Sequence, residues 1–122
     1  MTPFELLIVA HLAGDWLLQT EWMATEKRYN WRALLSHVAA YHALMLVVLG
    51  YRFGFGNPMV CAVVAGLALT HAVLDRGWPV LRIMRLLRIS VERPPERWLE
   101  IAVDQTLHIL LLAAAAIILG RF

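Results

Sequence analysis

Four apolar stretches, residues 4–19, 31–51, 58–74 and 98–119, take up most of this 122-residue chain, and each is interrupted by histidine or aspartate. Each stretch holds roughly 16–22 residues, close to the ~20 that a helix needs to cross ~30 Å of hydrocarbon. The first and third are short, which calls for a helix running past its apolar part or for a locally thinned bilayer. With 61% hydrophobic and only 16% charged residues, the chain carries more apolar surface than one soluble core of this size can hide. The expected architecture is therefore all-α: an integral membrane four-helix bundle forming a single domain over residues 1–122.

Local signals place the helix ends. Asn57 followed by Pro58 reads as an N-cap with proline in the first turn. Pro94-Pro95 precedes the fourth stretch and rules out a continuous helix through that point. Lysine and arginine are distributed unevenly. Lys27, Arg28, Arg32, Arg76, Arg82, Arg85, Arg88, Arg93 and Arg97 fall on one side, and Arg52 and Arg121 on the other. By the positive-inside rule the first side is cytoplasmic and both termini lie outside the cytoplasm. Trp22, Trp31, Trp78 and Trp98 flank the basic loops, as an interfacial aromatic belt would. Residues 78–90, WPVLRIMRLLRIS, place Arg82, Arg85 and Arg88 among leucine, isoleucine and methionine. This short basic segment between helices three and four is expected to lie in the headgroup plane, its arginines meeting anionic headgroups. The single cysteine, Cys61, is read as a small buried hydrophobe. No basic region or small-residue cleavage site suggests a cleaved signal peptide. No nucleic-acid module is recognisable, so membrane lipids are the expected partners, and homo-oligomerisation is left open.

The polar residues inside the apolar stretches share one spacing. His11, Asp15 and Gln19 are four apart, as are His37 and Tyr41, His71 and Asp75, and Asp104 and His108. Residues four apart lie on one helical face, so each helix brings one polar stripe toward a common centre. With alternating helix directions and a rise of 1.5 Å per residue, Asp15, His37, His71 and Asp104 fall at roughly 7–10 Å from the cytoplasmic boundary. His11, Tyr41 and His108 lie somewhat deeper, at about 13–17 Å on the same reckoning. An aspartate at a helix centre costs ~2.5–3.5 kcal/mol on insertion scales, so these carboxylates need partners. Pairing between neighbouring helices is one solution, and a proton relay uses the same groups. One or two divalent metal ions (zinc, manganese or iron) held by His11, Asp15, His71, Asp75, Asp104 and His108 are the other. Metal is the favoured solution, because histidines outnumber what the aspartates need and the i,i+4 pair recurs on three helices, as in helical-bundle metal sites. Bis-histidine haem would leave the matched aspartates without a role. His37 is then either a ligand or a general acid/base. Gln19, Tyr41 and Gln105 are candidates to orient the ligands. His42, rotated ~140° from His37, is expected off the site. The acids near the stretch ends, Glu5, Glu21, Glu26, Glu92, Glu96 and Glu100, are read as solvated. His-x-x-x-Asp at His11 and His71 suggests two related hairpins with these motifs opposite one another.

The stretches AHLAGDWLLQTEWMA (residues 10–24), LLSH (34–37), THAVLD (70–75) and DQTLH (104–108) resemble a family of small bacterial integral-membrane proteins, domain of unknown function 3307. The resemblance covers nearly the whole chain and implies the bacterial inner (cytoplasmic) membrane. The pattern is also distantly similar to membrane-bound metal-dependent hydrolases, which carry histidine and aspartate near helix ends. Together with the residues, this suggests a metal-dependent hydrolase acting on a lipid-like, phosphate-bearing substrate at the cytoplasmic leaflet. A bound metal would lower the pKa of its water toward ~7. The alternatives are a metal-ion or proton transporter and a non-catalytic membrane subunit whose polar cluster only pairs helices. The apolar outer halves of the stretches weigh against a pathway running through the bundle.

Overall fold

The computed structural model describes residues 1–89 and 97–120; Pro94-Pro95, Arg93, Glu92 and Glu96 lie outside the described residues. Every regular element among them is helical. α1 (Pro3–Leu12) starts on a capping box, in which the Thr2 side chain accepts from Glu5 N and the Glu5 carboxylate accepts from Thr2 N. It runs into a π-helical segment (Ala13–Leu17), and α2 (Glu21–Glu26) follows. α3 (Trp31–Phe53) is capped by Asn30, and α4 (Pro58–Leu74) by Asn57, whose side chain accepts from Met59 N as the sequence anticipates. α5 (Trp78–Leu86) and α6 (Arg97–Leu119) complete the chain.

α1 packs on α3, α3 on α4, α4 on α6 and α6 on α1, closing a ring in which α1 and α4 stand diagonally. The inward stripes follow helical periodicity: Leu34, His37, Tyr41, Met45 and Leu49 on α3, and Val60, Val64, Leu67, His71 and Leu74 on α4. Each stripe changes character along its length. Leu7, Met45, Leu49, Val60, Leu112, Ala115 and Leu119 fill one half of the bundle with an apolar core. His11, Asp15, His37, His71, Asp75 and His108 fill the other, all buried. For these to meet, successive long helices must alternate in direction.

Where four crossings are expected, two helices among the described residues, α3 and α6, are long and apolar enough to span a membrane. The pair α4 and α5, bent by 74°, makes a third if it counts as one span. α1 with its π-helical extension falls short of the ~20 residues a perpendicular crossing needs. The bend is local. Gly77 sits at φ 82°, a left-handed conformation that turns the chain between α4 and α5. The basic segment is thus a short helix set across α4, with Arg82, Arg85 and Arg88 exposed. Cys61 is exposed rather than buried, because it lies on the outer face of α4. In a helix that is apolar on every side, an apolar neighbourhood does not distinguish the outer face from the core-facing one. Glu100, read as solvated, is instead buried and paired with Arg28.

Candidate functional site

Asp15 is delivered by the π-helical segment. A π turn carries an extra residue per hydrogen-bonded loop and shifts the side-chain register. Gly14 lets this segment lie against α3, where a Cβ would stand 2.5 Å from Tyr41 Cδ2. His37 comes from the first turns of α3, His71 from the last turn of α4, and Asp75 caps that helix. His108 comes from α6.

Three of their atoms surround His37 Nε2. His37 Nε2 lies 3.1 Å from His71 Nε2, 3.1 Å from Asp15 Oδ1 and 3.2 Å from Asp75 Oδ2. His71 Nε2 is 3.1 Å from Asp75 Oδ2 and 3.7 Å from Asp15 Oδ1. A ring nitrogen carries at most one proton, so His37 Nε2 can donate to only one of its three neighbours. The spacing is that of ligands around a cation. Donors at 2.0–2.1 Å from a tetrahedral zinc stand about 3.3 Å apart. Imidazole nitrogen with carboxylate oxygen is also the donor set that divalent zinc, manganese or iron accepts.

His108 adds a second argument. Its Nδ1 donates to the Asp104 backbone carbonyl at 2.8 Å, which leaves a lone pair on Nε2 of the neutral ring. That lone pair faces Asp75 Oδ1 at 3.5 Å. Two acceptors facing each other need a cation, proton or metal, between them. Asp15 Oδ1, Asp75 Oδ1 and His108 Nε2 are all buried without an aligned hydrogen-bond partner among the described residues. Two groups, Asp15 with His37 and His71, and His71 with Asp75 and His108, could each hold a metal ion.

His11 stands behind these ligands, although spacing alone puts it among them. Its Nε2 meets Gln105 Oε1 at 2.9 Å and must donate, so its Nδ1 accepts from Tyr41 Oη at 2.7 Å. Gln105 Nε2 then donates to Asp15 Oδ2 at 2.9 Å. The result is a directional chain from Tyr41 through His11 and Gln105 to Asp15. It occupies Oδ2 and leaves Oδ1 toward His37 and His71. Asp104 also stands apart from both ligand groups. Its partly exposed carboxylate lies 3.4 Å from Gln105 Nε2 and 3.6 Å from His108 Nδ1. Gln19 donates to the Asp15 backbone carbonyl at 3.1 Å. His42 is buried, with Nδ1 donating to Val38 O at 2.8 Å and its ring packed on Tyr41 and His71. It is outside both ligand groups but not outside the bundle.

A cavity of about 200 Å3 opens beside the ligands, lined by Asp15, Asp75, Asp104 and Gln105 on its polar side. The cations that line it are Lys27, Arg28 and Arg97; Arg82, Arg85 and Arg88 do not. Lys27 Nζ reaches Asp75 Oδ2 at 2.9 Å, and Arg28 pairs with Glu100. Arg76 stacks over the Trp31 ring at 4.2 Å and holds down the loop that carries Lys27 through its carbonyl. In the sequence Lys27 and Arg28 stand out only as topology signals. Nothing in their spacing reveals that the loop folds back onto Asp75 and Glu100.

A family model described as a protein of unknown function, DUF3307, matches residues 4–121. The chain belongs to the DUF3307 family. The match takes in α1 to α6 and therefore every residue of the cluster in this DUF3307 chain. Comparison with curated proteins and with solved structures finds no match.

Proposed function

We propose that this DUF3307 protein is a membrane-embedded, metal-dependent hydrolase acting on a lipid-like substrate at the cytoplasmic leaflet. The observation that carries the reading is the approach of His71 Nε2, Asp15 Oδ1 and Asp75 Oδ2 to within 3.1–3.2 Å of His37 Nε2, beside a cavity. In this reading α1 with its π-helical extension, α3, α4 and α6 cross the cytoplasmic membrane as a four-helix bundle with both termini outside. Among the described residues, eight of the nine lysines and arginines lie at the cluster end of the helices, in support of that orientation. Exposed Trp16, Trp22, Trp31, Trp78 and Trp98 lie at the same end, as anchors at an interface would.

A divalent ion bound there would supply Lewis acidity and an activated water near neutral pH. The residues of the chain supply the rest. Gln105 holds Asp15 in one orientation, and Lys27 offsets part of the charge on Asp75. Asp104, at the cavity wall and outside the ligand groups, is placed to take a proton from water or return it to a leaving group. A through-pathway for ions is disfavoured by the apolar core from Leu7 to Leu119, which fills the other half of the bundle.

Elemental analysis of the detergent-purified protein tests this, after incubation with zinc, manganese or iron. The expected result is at least one ion per chain in the parent and loss of it in Asp75→Asn and in His37→Ala/His71→Ala. Asp104→Asn should keep the metal and lose hydrolysis of membrane lipid, read as released product. A parent without stoichiometric metal overturns the reading.

A further inference from the structure

Among the described residues, the wall between the π-helical segment and α6 is open. α1 packs on α6, but its π-helical continuation packs on α3 and makes no backbone approach to α6. The cause is Gly14, whose missing side chain lets the segment lean onto the Tyr41 ring and so away from α6. The Gln105 side chain reaches across the gap to Asp15. Trp16 on one side and Ile101 on the other line the cavity while remaining 61% and 40% exposed on the outer surface of the bundle. The cavity is thus reached sideways, between two apolar side chains that would face lipid.

Its contents set the charge of what can enter. Three cations, Lys27, Arg28 and Arg97, share the lining with four carboxylates, Asp15, Asp75, Glu100 and Asp104. Left to itself this wall repels an anion. One divalent ion on the His/Asp cluster reverses the balance to net positive, so an anionic group is admitted only when the metal is bound. At about 200 Å3 the cavity is smaller than the ~300–1,000 Å3 of sites that enclose a whole drug-sized ligand. It takes a headgroup and leaves an apolar chain outside, along Trp16 and Ile101.

We infer that the ligand of this site is a membrane phospholipid with a net negative headgroup, admitted laterally between the π-helical segment and α6 in a metal-dependent manner. The inference rests on the metal reading above and deepens it. Native mass spectrometry of the full chain in detergent micelles tests it, with phosphatidylglycerol, phosphatidylcholine and soluble glycerol phosphate as probes, with zinc and with chelator. The zinc-loaded protein should retain phosphatidylglycerol at least about tenfold better than phosphatidylcholine, and chelator should abolish the preference. Arg97→Gln should weaken both phosphatidylglycerol and glycerol phosphate about fivefold, the worth of one cation near an anionic surface. Trp16→Gln/Ile101→Gln, which replaces two exposed side chains, should weaken the lipid about tenfold and leave glycerol phosphate unchanged. Glycerol phosphate binding as well as the lipid would show a free phosphate site and overturn the lateral route. A phosphatidylglycerol preference that survives chelation would overturn the metal dependence. Zinc binding with no preference for phosphatidylglycerol sinks this inference alone, whereas no zinc binding at all sinks the metal reading beneath it.

Discussion

Replacing Tyr41 by phenylalanine removes one oxygen and tests the chain that orients Asp15. The ring that packs against Gly14 and His71 is kept. What is lost is the proton given to His11 Nδ1, inside a site where His11 is 1% and Tyr41 2% exposed. A buried acceptor left without its donor costs about 1–3 kcal/mol. His11 cannot escape by changing tautomer, because its Nε2 would then present a lone pair to Gln105 Oε1. Turning the Gln105 amide to repair that contact would set its oxygen against Asp15 Oδ2. The strain therefore ends on the ligand, and outer partners of this kind are worth about 10–100-fold in metal affinity. Thermal unfolding in detergent should show a loss of about 1–3 kcal/mol in Tyr41→Phe. Zinc titration calorimetry should show affinity falling by at least about tenfold. Gln105→Leu should have a similar effect, and the double variant should be barely worse than either, since both act through one chain. Zinc affinity equal to the parent's in Tyr41→Phe, or effects that add fully in the double variant, would refute the directional chain.

Gly14→Ala puts a methyl group 2.5 Å from Tyr41 Cδ2 and 3.0 Å from Cγ, on a ring with no room to move. Overpacking of this kind costs about 1–3 kcal/mol, so the unfolding temperature should fall, and an unchanged one would show that the segment has freedom the packing denies it. His42 donates from Nδ1 to Val38 O, so its unpartnered Nε2 is an acceptor in the neutral ring. It borders a void of about 10 Å3 shared with Thr70, His71 and His108, and His71 Nδ1 is likewise unpartnered. That is about the space one water needs, bridging His71 Nδ1–H to His42 Nε2. His42→Leu should then lose about tenfold in zinc affinity while His42→Gln, which keeps an acceptor, stays near the parent; equal affinities in all three would dismiss the bridge.

Much of the site is readable from spacing because helix geometry is periodic. His37 with Tyr41, and His71 with Asp75, declare their shared faces at i,i+4, and the matching depth of these residues follows from a constant rise per residue. Periodicity says which face a residue occupies but not how far its neighbours reach. His11 and Asp104 have the same spacing as their partners and yet lie outside the ligand groups, one held by Tyr41 and Gln105, the other at the cavity wall. Glu100 shows the same limit: its burial depends on Arg28, which sits on a loop 72 positions earlier.

By itself the amino-acid sequence determines an all-helical chain with polar stripes at one end of its long helices and a basic excess beside them. Those properties follow from local periodicity and composition, which act over a few residues. The tertiary structure alone decides which nitrogen and oxygen atoms meet, since that depends on hydrogen bonds between helices, a π turn at Asp15 and a loop that brings Lys27 to Asp75. The His/Asp cluster is written in the sequence as a pattern. It becomes a candidate ligand sphere only where the fold gathers Asp15, His37 and His71 into one group and His71, Asp75 and His108 into another, each able to hold a cation.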